Sequence, residues 1–269
     1  MKKLSIGELS NLPQYDLNAY LGISGHFGGF KETKNLLELT KVIKNKKILD
    51  VGCGIGNTSF YIAKKFGCNI TGFDITKIGI EKANLKKNNI NYKRNIEFFI
   101  GDIQNMPVKD ESFDVVLAEN VITLVKDKNK AIEELARVTK PGGFIGFNAC
   151  FWINKPKMLS YDKNTGEIKE ETKIYKTKIY VFPTFDELKE LFNKAGLKDV
   201  TFYKPSKYKL KDKFLNIGKK VSNLKIFFKI IYLSIKSKEL KNRFLTAGKH
   251  QNDINKGNEA GFGLFICRK

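Results

Sequence analysis

The segment Lys47-Ile48-Leu49-Asp50-Val51-Gly52-Cys53-Gly54-Ile55-Gly56 sets the architecture of this chain. An apolar run of strand length delivers the backbone into three alternating glycines, and a helical pattern begins directly after them. Glycine is needed there because the backbone must turn sharply and approach a ligand closely, while the N-terminus of the following helix offers unpaired N–H groups. The glycines fall as GxGxG, led by an acidic residue two positions earlier, rather than in the GxGxxG spacing of dinucleotide sites. That spacing favours a nucleoside without a pyrophosphate. Taken alone, it is equally compatible with a tight strand-to-helix corner.

Working outward, apolar runs alternate with amphipathic stretches: strands at 47–51, 69–73, 96–100, 113–118 and 143–148, helices at 58–66, 77–88 and 128–138. Strands separated by helices of this length predict a parallel sheet covered on both faces. Lys140-Pro141-Gly142-Gly143 reads as a sharp turn into the last of these strands. Upstream, Leu36, Leu37, Leu39, Val42 and Ile43 give an apolar stripe to a helix over 31–44, preceded by the glycine-rich Ser24-Gly25-His26-Phe27-Gly28-Gly29. Past Phe151 the regularity lapses into a hairpin or loop arm over 152–182. Helix 184–195 and strand 199–203 follow, with Gly196 as a C-cap. Residues 205–258 are basic, apolar-rich and helical in pattern, and a final strand covers 262–267.

Asp74 ends the second strand, 24 residues after Asp50, where an acid can accept ribose hydroxyls. It can equally cap the helix over 77–88, although Thr76 is placed to do so and leave Asp74 free. Gly101-Asp102-Ile103 follows the third strand, with a carboxylate placed to take an adenine amino hydrogen. Phe113-Asp114 opens the fourth strand, which runs to Ala118-Glu119-Asn120. Acids at successive strand ends point to one crevice at the carboxyl edge of a parallel sheet, and to a nucleoside-type cofactor in it.

Among 269 residues, 42% are hydrophobic, enough for a packed core. The net charge of +21 invites a nucleic-acid reading, but arginine occurs only at Arg94, Arg137, Arg243 and Arg268. Readers of phosphates and bases favour the arginine fork. The charge is uneven: from Lys207 to Arg243 twelve basic residues stand against Asp212 and Glu239. Cys53, Cys68, Cys150 and Cys267 lie far apart without metal-ligand spacing, so reduced structural thiols and no metal site are expected. Met1-Lys2-Lys3-Leu4-Ser5 leads into polar residues with no signal-peptide core. The most apolar stretch, 224–235, carries Lys225 and Lys229 and is too short and charged to span a bilayer. A cytoplasmic protein, with peripheral membrane contact left open, is expected.

The segment 48–56, Gly72-Phe73-Asp74-Ile75, Gly101-Asp102, Phe113-Asp114-Val115-Val116 and Arg137-Val138-Thr139-Lys140-Pro141-Gly142-Gly143 together resemble the class I, Rossmann-like, S-adenosylmethionine-dependent methyltransferases. The likeness is to the type 11 small-molecule group that includes the ubiquinone/menaquinone-biosynthesis-like enzymes, and it spans residues 46–148. It implies an α/β fold with a seven-stranded, mostly parallel sheet, helices on both faces and the last strand antiparallel. N-terminal helices (1–45) and a basic helical insertion (205–258) would be added to a core of 46–204 and 259–269. S-adenosyl-L-methionine is the implied cofactor. Gly52, Gly54 and Gly56 would pack on its methionine end, with Asp50 ordering the turn and its amine contacts. Asp74 would hold the ribose, Ile75 would cover the adenine, and Asp102 would bind the adenine amine, with Ile103 a further cofactor-binding residue. Glu119 would face both cofactor and substrate, and His26-Phe27-Gly28-Gly29 is similar to a segment that closes over the cofactor.

Methyl transfer from a sulfonium is an in-line displacement in which the protein aligns the nucleophile and excludes water. A general base is needed only if the nucleophile's proton must leave early; His26 and Glu119 are the candidates, each with cofactor contact as its plainer role. The expected acceptor is a small molecule, lipophilic ones included. One alternative is an RNA-modifying methyltransferase. Base-methylating nucleic-acid enzymes carry an Asn/Asp-Pro-Pro-aromatic motif after the fourth strand, where this chain has Ala118-Glu119-Asn120-Val121, so nucleic acid ranks lower as a partner. The other alternative is a non-catalytic cofactor-binding protein. The 205–258 segment sets Phe214, Leu215, Val221, Leu224, Phe227, Phe228, Ile231 and Ile235 among lysines. It is a packed lid with a solvated lysine face, a basic surface resting on anionic lipid, or a site for an acidic partner such as RNA.

Overall fold

The apolar runs become the strands of a single seven-stranded sheet. The computed structural model describes residues 4–22, 29–91, 95–152, 157–161, 168–172, 183–203, 221–242, 244 and 260–269. Three helices come first, α1 (Ile6–Asn11), α2 (Gln14–Leu21) and α3 (Gly29–Leu39). The alternating region then runs β1 (Lys47–Val51), α4 (Asn57–Phe66), β2 (Asn69–Asp74), α5 (Lys77–Asn88), β3 (Ile96–Ile100), β4 (Phe113–Glu119), α6 (Lys128–Val138) and β5 (Thr139–Trp152). A hairpin of β6 (Lys157–Tyr161) and β7 (Ile168–Thr172) follows, then α7 (Phe185–Lys194), β8 (Lys198–Tyr203), α8 (Val221–Lys236) and β9 (Ala260–Arg268). The hairpin falls within the irregular stretch after Phe151, while the alternating run 173–181 lies outside the described residues.

The strand order is β3-β2-β1-β4-β5-β9-β8. Pairs from β3 through β5 are parallel, and β9 enters antiparallel between β5 and β8. The chain moves outward from β1 to β3 and then returns to the other side of β1 as β4. A crevice therefore opens between the carboxyl ends of β1 and β4, at the point where the order reverses.

Period-two alternation sends successive side chains to opposite faces. Leu49, Val51, Val116, Ile145 and Phe147 pack with Leu135 of α6 and Leu188 and Phe192 of α7. Ile48, Ile70, Val115 and Leu117 pack on the other face with Leu36 and Leu37 of α3, Ile62 of α4 and Ile80 of α5. A third cluster joins distant parts of the chain. Leu9 of α1 and Leu17, Tyr20 and Leu21 of α2 close around Leu233 of α8 and Leu240. Ser10 and Ser237 add a hydroxyl contact of 3.2 Å.

Two sequence expectations need correction. The helix read over 31–44 stops at Leu39. Lys41 adopts φ 53°, and its N–H bonds to Glu38 O while Val42 N–H reaches Leu37 O. This left-handed closure satisfies the last carbonyls and turns the chain toward β1. The turn read at Lys140-Pro141-Gly142-Gly143 is a bulge inside β5. Phe113 pairs with Thr139 and Val115 with Phe144, so four residues, three more than regular pairing allows, stand opposite Asp114. Gly142 N–H bonds to Lys269 O at 2.9 Å and Lys269 N–H to Gly143 O at 3.2 Å, which keeps the excursion within the sheet.

Candidate functional site

The glycine turn is fixed from both sides. Cys53 N–H bonds to Phe73 O at 3.0 Å, stitching the turn to β2, and Gly56 N–H closes it on Cys53 O at 2.9 Å. Gly52, Gly54 and Gly56 hold φ of 68°, 55° and 78°, a backbone region that disfavours L side chains. A Cβ on Gly52 would lie 2.3 Å from Val121 Cγ2, so the segment after β4 presses on it. A Cβ on Gly54 would meet nothing within 4 Å, which leaves an open cradle over its backbone.

Four acid-bearing strand ends surround this cradle. Asp74 accepts from Gly54 N–H at 2.8 Å through Oδ2, and from the Thr76 N–H (2.8 Å) and hydroxyl (2.7 Å) through Oδ1. The expectation that Thr76 would cap α5 and leave Asp74 free is therefore corrected. Thr76 makes no side-chain cap bond, because its hydroxyl is spent on Asp74. Asp50 is buried and accepts from the Ser59 hydroxyl. Burial pushes its carboxyl up to about 7, with the Ser59 bond opposing and the charges of Glu119 and Asp74 adding to the rise. Glu119 takes the Thr58 hydroxyl on Oε1 and the Thr33 hydroxyl on Oε2, each at 2.8 Å, with Asn148 Nδ2 at 3.5 Å. Asp102 accepts from Gln104 N–H at 2.9 Å and from the Gln104 amide.

The sheet's alternation explains which of these meet. Asp50, Asp74, Glu119 and Asn148 follow Ile48, Ile70, Leu117 and Phe144 at even steps, so they share the face covered by α3, α4 and α5. Asp102 stands one strand further out, tied to Asp74's strand through Gly101 N–H and Asp74 O at 3.1 Å. Ile75 is 68% exposed at the lip of the crevice, whereas Ile103 is buried in the opposite cluster. His26 lies outside the described residues.

Sequence reasoning missed the hydroxyls that organise the acids. Thr58 and Ser59 open α4 directly behind the glycines, and Thr33 reaches in from α3. The one available signal was the pair of small hydroxyl residues just past Gly56. Asp16 of α2 was also missed. Its carboxyl is raised by burial and by the nearby charge of Asp74, which places α2 over the end of β2. Among the described residues no cluster of His, Cys, Asp or Glu could hold a metal ion, and no helix is long and apolar enough to cross a membrane.

The model of a family described as "Methyltransferase domain" matches residues 43–196. An uncharacterized protein of Haemophilus influenzae is 37% identical over 122 residues, 44% of this chain and 48% of that protein. Phosphoethanolamine N-methyltransferase 1 of Zea mays is 27% identical over 243 residues, 90% of this chain and 45% of that protein. The chain thus spans about half the length of these curated relatives, 48% and 45%. Among solved structures, Haemonchus contortus phosphoethanolamine N-methyltransferase 2 in complex with S-adenosyl-L-methionine superposes with a TM-score of 0.70 at 17% identity. It covers 99% of this chain and 60% of that one. At that identity the likeness concerns the fold.

Proposed function

The chain belongs to the methyltransferase-domain family, and from that premise we propose that it transfers the methyl group of S-adenosylmethionine to a small-molecule acceptor. The observation that carries this reading is the open cradle over Gly54, ringed by carboxylates. Among the described residues, Asp50, Asp74 and Asp102 form no salt bridge with lysine or arginine. A ligand carrying a sulfonium and an ammonium supplies the missing positive charge. When bound, S-adenosylmethionine supplies a methyl group already activated for displacement. Gly52, Gly54 and Gly56 would admit its methionine end, and Asp50 would hold the turn in shape through Ser59. Three of the roughly four acceptor positions of the Asp74 carboxylate are taken, which leaves room for one ribose hydroxyl unless Thr76 yields. Ile75 would cover the adenine, Asp102 would accept its amine, and Ile103 would contribute from beneath. Glu119 would face the methyl end, its oxygens already taken by hydroxyls, which suits a fixed negative charge better than a base; His26 is the other candidate base. The chemistry then rests on alignment and exclusion of water.

The relatives named as phosphoethanolamine N-methyltransferases support a small, polar acceptor class. Melting the protein with S-adenosylhomocysteine and, separately, with NAD tests the reading. A rise in Tm with the first alone is expected; no rise with S-adenosylhomocysteine sinks it.

The 205–258 segment supports a second, separate proposal: α8 rests the molecule on an anionic bilayer from the cytoplasmic side. At about 100° per residue, the buried side of α8 carries Ile230 and Leu233, and the opposite side carries Phe228, Ile231, Tyr232 and Ile235. These four are 39–77% exposed, spaced i, i+3, i+4 and i+7, with Lys229 and Lys236 along one flank. An apolar stripe edged with lysines fits the boundary between acyl chains and anionic headgroups. In this arrangement α1, α2 and α8 act as one cap, joined through Leu9, Leu17, Tyr20, Leu21, Leu233 and Leu240. Sedimentation with phosphatidylserine vesicles should retain the protein, and Ile235→Asp should release it. Equal retention by both, or preference for RNA over vesicles, counts against the bilayer.

A further inference from the structure

Among the described residues, two buried amide oxygens at the carboxyl edge of the sheet have no hydrogen-bond donor, Oδ1 of Asn120 and Oδ1 of Asn148. Asn148 is 0% exposed, and buried acceptors without donors are rare in folded proteins. Its amide orientation is set by chemistry. Asn148 Nδ2 faces Glu119 Oε2 at 3.5 Å, an oxygen that already accepts the Thr33 hydroxyl. Turning the amide over would set oxygen against oxygen, so Oδ1 must look away from Glu119. Asn120 sits beside it: Glu119 pairs with Asn148 across β4 and β5, and Asn120 N–H bonds to Asn148 O at 3.3 Å. Asn120 is held at φ 61°, and the next residue, Val121, is the one pressed against Gly52. The two residues are therefore backbone neighbours, and the chain that follows Asn120 packs on the turn assigned to the methionine end of the cofactor.

Resting on the methyl-transfer reading above, we propose that Asn120 and Asn148 bind the two N–H groups of a primary amine acceptor, so that nitrogen is the atom methylated. Two acceptors left wanting call for a ligand with two donors. A hydroxyl brings one donor and needs a base for its proton, and a thiol donates weakly. An amine satisfies both oxygens and leaves its lone pair for the methyl group. It reacts as the free base, its extra proton already given to solvent. The nitrogen lone pair forms the N–C bond as the C–S bond breaks, and that bonding pair remains on sulfur. Positive charge thus passes from sulfur to nitrogen. The amide oxygens and the neighbouring Glu119 carboxylate meet a charge that grows toward the transition state, where such contacts accelerate the step. The methylated ammonium releases a proton to water after it leaves.

The test offers the full chain S-adenosylmethionine with a labelled methyl group, together with ethylamine, ethanolamine, phosphoethanolamine and benzylamine. Each amine is paired with the alcohol in which oxygen replaces the nitrogen. Label is expected on the amines alone, and the amines alone should raise Tm of the protein loaded with S-adenosylhomocysteine. Asn120→Gly keeps the left-handed backbone and deletes the amide. It should raise KM for the amine at least tenfold, with S-adenosylhomocysteine affinity within twofold and Tm unchanged or higher. Asn148→Leu should act likewise, with Asn120→Gly as the safeguard if it folds poorly. Label on the alcohols overturns the proposal, as do amines that are neither methylated nor raise Tm. Weakened S-adenosylhomocysteine binding in Asn120→Gly with amine KM unchanged also overturns it, because the oxygens would then serve the cofactor's own ammonium. Failure of the wild type to bind S-adenosylhomocysteine would instead remove the underlying methyl-transfer reading.

Discussion

The two edges of the sheet treat their aspartates in opposite ways. At the amino edge, Asp114 accepts from Lys47 N–H at 2.8 Å and pairs with Lys140 at 2.9 Å. Burial alone would raise its carboxyl, but the Lys47 bond and the Lys140 charge outweigh that and hold it below the usual range. At the carboxyl edge, Asp50 is more deeply buried, meets the hydroxyl and backbone N–H of Ser59 but no cation among the described residues, and is pushed up to about 7. The two are near neighbours, since Asp50 pairs with Leu117, three residues along β4 from Asp114. Among the described residues, Asp114 at the amino edge is paired with a lysine, whereas Asp50, Asp74 and Asp102 at the carboxyl edge form no salt bridge with lysine or arginine. A stabilising edge neutralises its charges internally; a binding edge keeps one sign for the ligand to neutralise.

The largest expected effect separates binding from folding at two glycines of the same conformation. Gly54 and Gly67 both have positive φ (55° and 66°), and a Cβ on either meets nothing within 4 Å. Alanine at either site should cost about 1–2 kcal/mol of stability through the left-handed backbone. Only Gly54→Ala places a methyl group in the cradle, so it alone should weaken S-adenosylhomocysteine on the order of 100-fold, as read by calorimetric titration. Equal affinities in the two variants would remove the cradle from the site.

Next in size is the pH dependence of Asp50. Its folded value, about 7, lies above the unfolded one, so between the two the native state holds the extra proton. The stability contribution is complete below the unfolded value, falls as pH rises, and levels off above about 7. Asp50→Asn keeps the neutral form throughout. Its stability advantage over wild type, read by denaturant unfolding, should grow from pH 5 to pH 8, reaching on the order of a few kcal/mol. A constant difference across that range would mean that Asp50 is ionised at both ends.

Much of this edge was legible from residues alone, for a physical reason. A strand's period and a glycine's permissiveness are local properties, so β1, the glycine turn and the acids after each strand stand in the sequence in their working order. What was not legible depends on which side chains meet. Thr33 lies 86 residues from Glu119, and no periodicity relates them; only the packing of α3 on the sheet does. The Lys140-Pro141-Gly142-Gly143 bulge misled because Pro and Gly in sequence signal a turn, while the pairing with Lys269 that retains it in the strand is invisible locally. The partnership of α8 with α1 and α2 was hidden likewise, since each apolar face looks the same whatever covers it.

The smallest expected effect lies at the amino edge and has the opposite sign in pH. Asp114 has a folded value below its unfolded one, so its contribution is present above the unfolded value and is lost as pH falls through the folded one. Lys140 is 39% exposed and Asp114 21%, so solvent screens the pair, and Lys140→Ala should cost about 0.5–1 kcal/mol at neutral pH. The cost should shrink in acid, where wild type also loses the charge on Asp114, and in high salt. S-adenosylhomocysteine affinity should stay within twofold, because Lys140 lies in the bulge of β5, at the far end of that strand from Asn148, the residue paired with Glu119. A binding defect in Lys140→Ala would break the division of labour between the two edges, since charge removed at one end would then be felt at the other through the body of the sheet.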